Sequence, residues 1–165
     1  MAAFPACRQE RCEALILPSP PTPPIKPARL AIVARLIFWI VAGFYAYGAL
    51  VHILNMLSLT GFNWPDAPLK WQGLDAVYLI LDVTVCVGLV LGSKLGVGAF
   101  FCAAFSQIAL YTVFREWVLD VPEALRRSAA EIAYLDSLVL FHFVTCIAMG
   151  IALYVKAHAI SKETK

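Results

Sequence analysis

The stretch LDAVYLILDVTVCVGLVLGSKLGVGAFFCAAFSQIALYTVFRE, residues 74–116, decides the fold. It holds two apolar runs, 74–91 and 95–116, parted by the turn GSKLG. A helix needs about 20 mostly apolar residues to cross a bilayer, and each run comes close to that length. A turn this short allows only an antiparallel hairpin between them. Gly88, Gly92 and Gly96 recur at intervals of four across the junction, a close-packing pattern for apolar helices. Ala99, Ala103 and Ser106 continue a narrow face on the second run.

Two more apolar segments flank this hairpin, 30–55 before it and 133–156 after it. The chain of 165 residues is 61% hydrophobic and 15% charged. A soluble domain is nearer half apolar and a quarter charged, so a soluble fold is excluded. The expected architecture is all-α: an integral membrane four-helix antiparallel bundle in one domain, residues 30–156. Residues 1–29 carry Pro18, Pro20, Pro21, Pro23, Pro24 and Pro27 and are expected to form an extended or disordered tail. Residues 157–165 are expected to be a short basic tail. The apolar run Ala14–Leu17 is too short for a cleavable signal, so the first span is expected to act as a signal-anchor.

Charge placement predicts orientation. Arg8, Arg11, Lys26, Arg29, Arg35, Lys94, Lys156, Lys162 and Lys165 fall on the side of the termini. Lys70, Arg115, Arg126 and Arg127 fall on the other. Excess Lys and Arg marks the cytoplasmic side, which puts both ends in the cytoplasm; the expected location is a bacterial inner membrane. Cys7 and Cys12 would then sit in a reducing compartment. Cys86, Cys102 and Cys146 lie inside helices with no CxxC pair and are expected to pack as small apolar residues. Trp64 and Trp71, in the irregular connection 58–73, are expected at the outer interface. Ser128–Glu131, SAAE, has the spacing of a capping box at the start of the fourth helix.

Each span carries polar groups that a bilayer disfavours: His52 and Asn55, then Asp82, then Gln107, then His142. Along an up-down-up-down path all fall in the outer half. At ~1.5 Å of rise per residue, Asp82, Gln107 and His142 lie within about one helical turn of each other in depth. Helical spacing aligns Asp75, Tyr78 and Asp82 on one stripe. It aligns Tyr45, Gly48, His52 and Asn55 on a second, and His142, Thr145 and Met149 on a third. Ala103, Gln107 and Tyr111 form the fourth.

An ionised Asp82 facing lipid would cost several kcal/mol, so it is expected to face inward, protonated, wetted, or paired with His142 or His52. Two readings stand at this point. The polar groups are hydrogen-bonding glue between helices, or they form a binding site for a substrate, quinone, proton or metal. Asp82 and His142 are the candidate catalytic, proton-handling pair. His52, Asn55 and Gln107 join them as candidate ligand-binding residues. Metal and haem lack any local signature such as HExxH or CxxCH, so no metal ligand is assigned and haem is disfavoured. Asp75, Asp136, Arg115 and Glu116 are expected to form a solvated ion-pair network at the outer rim.

The layout resembles the DoxX-like family of small four-helix membrane proteins. The resemblance rests on the helix count, the irregular first outer connection and the turn CVGLVLGSKLGVGAFFCAAF, which is similar to the family's glycine-rich pattern. Lys94 stands where that pattern has Arg. The family includes a quinone-reducing thiosulfate oxidoreductase subunit, so the resemblance implies a quinone- or electron-handling component. It carries no active-site residue over. A non-catalytic assembly subunit of a larger membrane complex and a small transporter or proton path are the alternatives. The lipid bilayer, other membrane subunits or a second copy are the expected partners, and nucleic acid is not among them.

Overall fold

A computed structural model describes residues 27–163 apart from Phe62, Arg126 and Arg127. The expected tail falls outside the described residues up to position 26, together with Cys7 and Cys12. Pro27 already belongs to a helix, at a position where its missing N–H costs nothing. Five α-helices follow: α1 Pro27–Met56, α2 Leu69–Val90, α3 Lys94–Thr112, the short α4 Arg115–Leu119, and α5 Ala129–Glu163. Four of them are long and apolar enough to cross a membrane. Ile40, Ile80, Phe105 and Ile147 are exposed on their outer faces. Outward-facing apolar side chains on all four helices are what lipid contact requires and what water would penalise. The protein is an all-helical integral membrane bundle.

The long helices pack in a closed ring, α1 on α2, α2 on α3, α3 on α5 and α5 on α1. The half nearer the chain ends is apolar. Phe38 and Val41 of α1, Leu89 of α2, Phe100 of α3 and Met149 of α5 meet there among small alanines. The half nearer the α1–α2 connection is polar and contains the site.

The α2–α3 hairpin is as tight as its glycines suggest. A Cβ on Gly88 would run into the Cα of Gly96, so the two backbones touch. Gly92 does not join this contact. It sits at φ +66°, where its lack of a side chain lets α2 end in a left-handed turn. Gly92 N–H and Ser93 N–H then donate to the carbonyls of Leu89 and Gly88 at 3.0 and 2.8 Å. The Ser93 hydroxyl accepts from Gly96 N–H and starts α3.

Helix ends differ from expectation in three places. α2 begins at Leu69 rather than 74, because Pro68 caps it and Gly73 is absorbed on an exposed face. α3 stops at Thr112 instead of continuing to 116. Lys70 Nζ donates to the carbonyls of Trp117, at 2.5 Å, and Asp120, and Trp71 Nε1 donates to that of Val118 at 3.1 Å. Those carbonyls turn toward α2 only if the chain breaks from the axis of α3. The fourth transmembrane helix starts at Ala129, where the expected capping box forms: Ser128 N–H donates to Glu131 Oε2 at 2.7 Å and Glu131 N–H donates to Ser128 Oγ at 3.3 Å. At its far end it runs through the expected tail to Glu163.

The tryptophans of the α1–α2 connection turn into the fold. Trp71 is buried and Trp64 half-buried. A buried indole N–H needs an acceptor, and both find one inside the fold.

Candidate functional site

The polar groups assemble seam by seam. Between α1 and α2, Asp75 is the hub. His52 Nδ1–H donates to its Oδ1 at 2.8 Å, Asn55 Nδ2 to the same oxygen at 2.9 Å, and Trp64 Nε1 to Oδ2 at 3.0 Å. The placement of Asn55 and Trp64 is local. Ser58, at φ +58°, ends α1 in a left-handed turn, and its hydroxyl accepts from Trp64 N–H at 3.0 Å. Asp75 is only 7% exposed, so it does not belong to a solvated rim. Arg115 and Asp136 do pair, at 2.6 and 3.3 Å through both guanidinium nitrogens. Glu116 is exposed beside them.

Between α2 and α3, Tyr78 donates to Ser106 at 3.1 Å. Between α3 and α5, His142 Nε2 and Gln107 Oε1 meet at 2.5 Å. The fourth seam is different. In this half α5 and α1 meet through rings, Phe44 on Phe141 at 5.0 Å and Tyr45 near His142 at 6.4 Å, and no hydrogen bond joins them among the described residues.

A cavity of about 710 Å³ opens at that unbonded seam. Exposed Phe44, Tyr47 and Tyr134 form its rim, facing what would be lipid. His52, Asn55, Asp82, Gln107 and His142 all line it, so the structure gathers the five sequence-derived candidates around one space. Of the two partners expected for Asp82, His142 and His52, it brings the second closer. Asp82 lies nearest His52, Oδ2 to Nε2 at 3.8 Å, while His142 takes Gln107. Gly48 makes room for this: a Cβ there would collide with the Asp82 carboxylate.

Helix-to-helix bonding accounts for His52, Asn55, Gln107 and Tyr78. It leaves Tyr45 Oη, Asp82 Oδ1 and His142 Nδ1 buried and without a hydrogen-bond partner among the described residues. All three residues are 3% exposed and line the cavity. With Nε2–H of His142 donated to Gln107, the neutral ring presents a lone pair at Nδ1. The site therefore offers one hydroxyl donor, Tyr45, and two acceptors, His142 Nδ1 and Asp82 Oδ1. Asp75 and Asp82 approach opposite nitrogens of His52, and among the described residues no group of His, Cys, Asp or Glu is placed to hold a metal ion.

Tyr45 and Asp75 were not among the candidates. The signal existed: each shares a helical stripe with one of them, Tyr45 with His52 and Asp75 with Asp82. Tyrosine reads as ordinary packing, and Asp75 lies close enough to the helix start to read as solvated.

These features define a class, a four-helix membrane bundle with a polar cavity between its helices. Compared with known protein families, curated proteins and solved structures, the chain matches none.

Proposed function

We propose that this chain is a small DoxX-like membrane component that binds a quinone-type headgroup in the cavity, with the ligand's apolar tail in lipid between α1 and α5. The observation that carries this reading is the set of three buried, unpartnered polar atoms around one cavity. Each such atom costs about 1–3 kcal/mol while unpaired. A ring bearing a carbonyl and a hydroxyl would satisfy them: Tyr45 donates to the carbonyl, and His142 Nδ1 or Asp82 accepts from the hydroxyl. The cavity volume of about 710 Å³ falls in the range of small-ligand pockets, and the aromatic rim of Phe44, Tyr47 and Tyr134 suits a lipid-soluble ligand.

Titration of decylubiquinone and decylubiquinol into the full chain in lipid nanodiscs tests it. Saturable binding is expected, and Tyr45→Phe and His142→Phe should each weaken it roughly tenfold, the equivalent of about 1.4 kcal/mol. Binding of the same strength in the double variant, or none in the unaltered protein, would refute the assignment.

The orientation proposed with it places both ends in the cytoplasm of a bacterial cell, supported by the nine Lys and Arg on the terminal side against four on the other. Tags at either end should resist protease in intact spheroplasts and be cleaved in inverted vesicles. The reverse pattern would overturn this orientation and leave the ligand assignment standing.

A further inference from the structure

We infer that Asp75, His52 and Asp82 form a proton relay along the α1–α2 seam, between Asp82 deep in the bundle and the α1–α2 connection. Its two nitrogen–oxygen separations are unequal. His52 Nδ1 is bonded to Asp75 at 2.8 Å, and Nε2 stands 3.8 Å from Asp82. The short contact fixes the ring. With Nδ1–H donated to Asp75, Nε2 is left as a lone pair directed toward Asp82. A small side-chain rotation of Asp82, or one bridging water, closes the longer gap.

The three groups share one mobile proton. Protonated Asp82 beside neutral His52 and ionised Asp82 beside cationic His52 carry the same total charge and differ only in where that proton sits. Transfer between them therefore creates no new net charge inside the membrane, where an added charge is expensive. Asp75 balances the cationic form, and three N–H donors stabilise its carboxylate.

The geometry gives the relay two ends. Asp82 lines the cavity, and its buried Oδ1 has no hydrogen-bond partner among the described residues. Asp75 lies six residues into α2, and Asp82 seven residues further, so the relay covers about 10 Å of depth. From the protonated form, Asp82 gives its proton to Nε2 as the Nδ1 proton passes to Asp75 and on to water at the loop. The ionised Asp82 carboxylate then takes a proton from a cavity hydroxyl, whose O–H bond breaks as the new one forms. The return direction reverses each step, and no electron moves. The titratable groups beside this path are Tyr45 on α1, Tyr78 on α2, stacked on His52 at 6.0 Å between ring centroids, and His142 on α5; Tyr47 on α1, Tyr111 on α3, and Glu131 and Tyr134 on α5 line the same cavity. From α3 also come the neutral Ser106 and Gln107.

The inference deepens the ligand reading by naming how its proton travels, but its test needs no ligand. The full chain in nanodiscs is moved from H₂O to D₂O, and the infrared carboxylic-acid band that Asp82→Asn removes is followed in time. Exchange at Asp82 should slow roughly 100-fold in His52→Gln and Asp75→Asn, the low end of what a positioned proton acceptor contributes. Gly48→Ala keeps every titratable group and pushes only the Asp82 carboxylate away from its place, so it should slow exchange as well. Unchanged exchange in all three folded variants would overturn the relay, as would the absence of any Asp82 acid band between acid and alkaline pH. Failure of quinone binding with slowed exchange in the variants would sink the ligand alone.

Discussion

Gly88→Val should prevent recovery of a folded bundle. The Cβ would land on the Cα of Gly96, with the Gly96 nitrogen at 2.7 Å and Ser93 Oγ at 3.1 Å. The obstacle is backbone, which cannot rotate away as a side chain would. Relief requires moving α3 off α2, and that separates Leu89 and Phe100, both fully buried in the apolar half. Overpacking a well-filled core costs typically about 1–3 kcal/mol, more where the backbone must shift, and here it also strains the turn at Gly92. Gly150 is the control, because a Cβ there meets nothing within 4 Å. Gly150→Ala should hold or raise the melting temperature in detergent, since alanine is the better helix former by about 1 kcal/mol. Equal melting of Gly88→Val and the unaltered protein would show that the two backbones do not touch.

Asp75→Ala should produce the second large effect. It strips the acceptor from His52, Asn55 and Trp64 at once. Each buried donor left unpaired costs about 1–3 kcal/mol, so the loss should amount to several kcal/mol even if water reaches one of them. Asp75→Asn keeps one acceptor oxygen and should lose less. Thermal unfolding measures the ranking, alanine below asparagine below aspartate. Trp64 reports the mechanism through its indole, whose emission should shift as its N–H is freed. A single-residue double-mutant cycle with His52→Ala should show strong coupling, because the two side chains share one bond. Additive losses would mean that Asp75 and His52 act separately.

Asp75 also shows how far a stripe can be read. Its spacing from Tyr78 and Asp82 put all three on one helix face, and the structure buries all three. Spacing cannot say what the face meets. A position near a helix start beside a proline-rich connection looks wet, and Trp64 is what covers it. The same limit left Asp82 with two possible partners, His142 and His52. Depth alone put it level with His142, and rotation about the α2 axis aimed it at His52. The capping box at Ser128 was legible because it is local: its donors and acceptors lie within one turn of chain. The early start of α2 was hidden because Gly73 and Pro68 both read as breakers, while a capping proline and an exposed glycine are tolerated.

The sequence by itself determined the number of spans, their antiparallel order and the helix faces that carry polar groups. A bilayer enforces these things through chain length and hydropathy, which are properties of each segment alone. Only the tertiary structure decided that Asp75 holds three donors, that His142 bonds Gln107, and that the α1–α5 seam stays open around Tyr45, Asp82 and His142. Those outcomes depend on how each helix turns about its axis, and that is set by small contacts between segments: Gly88 against Gly96, and the space that Gly48 leaves for one carboxylate.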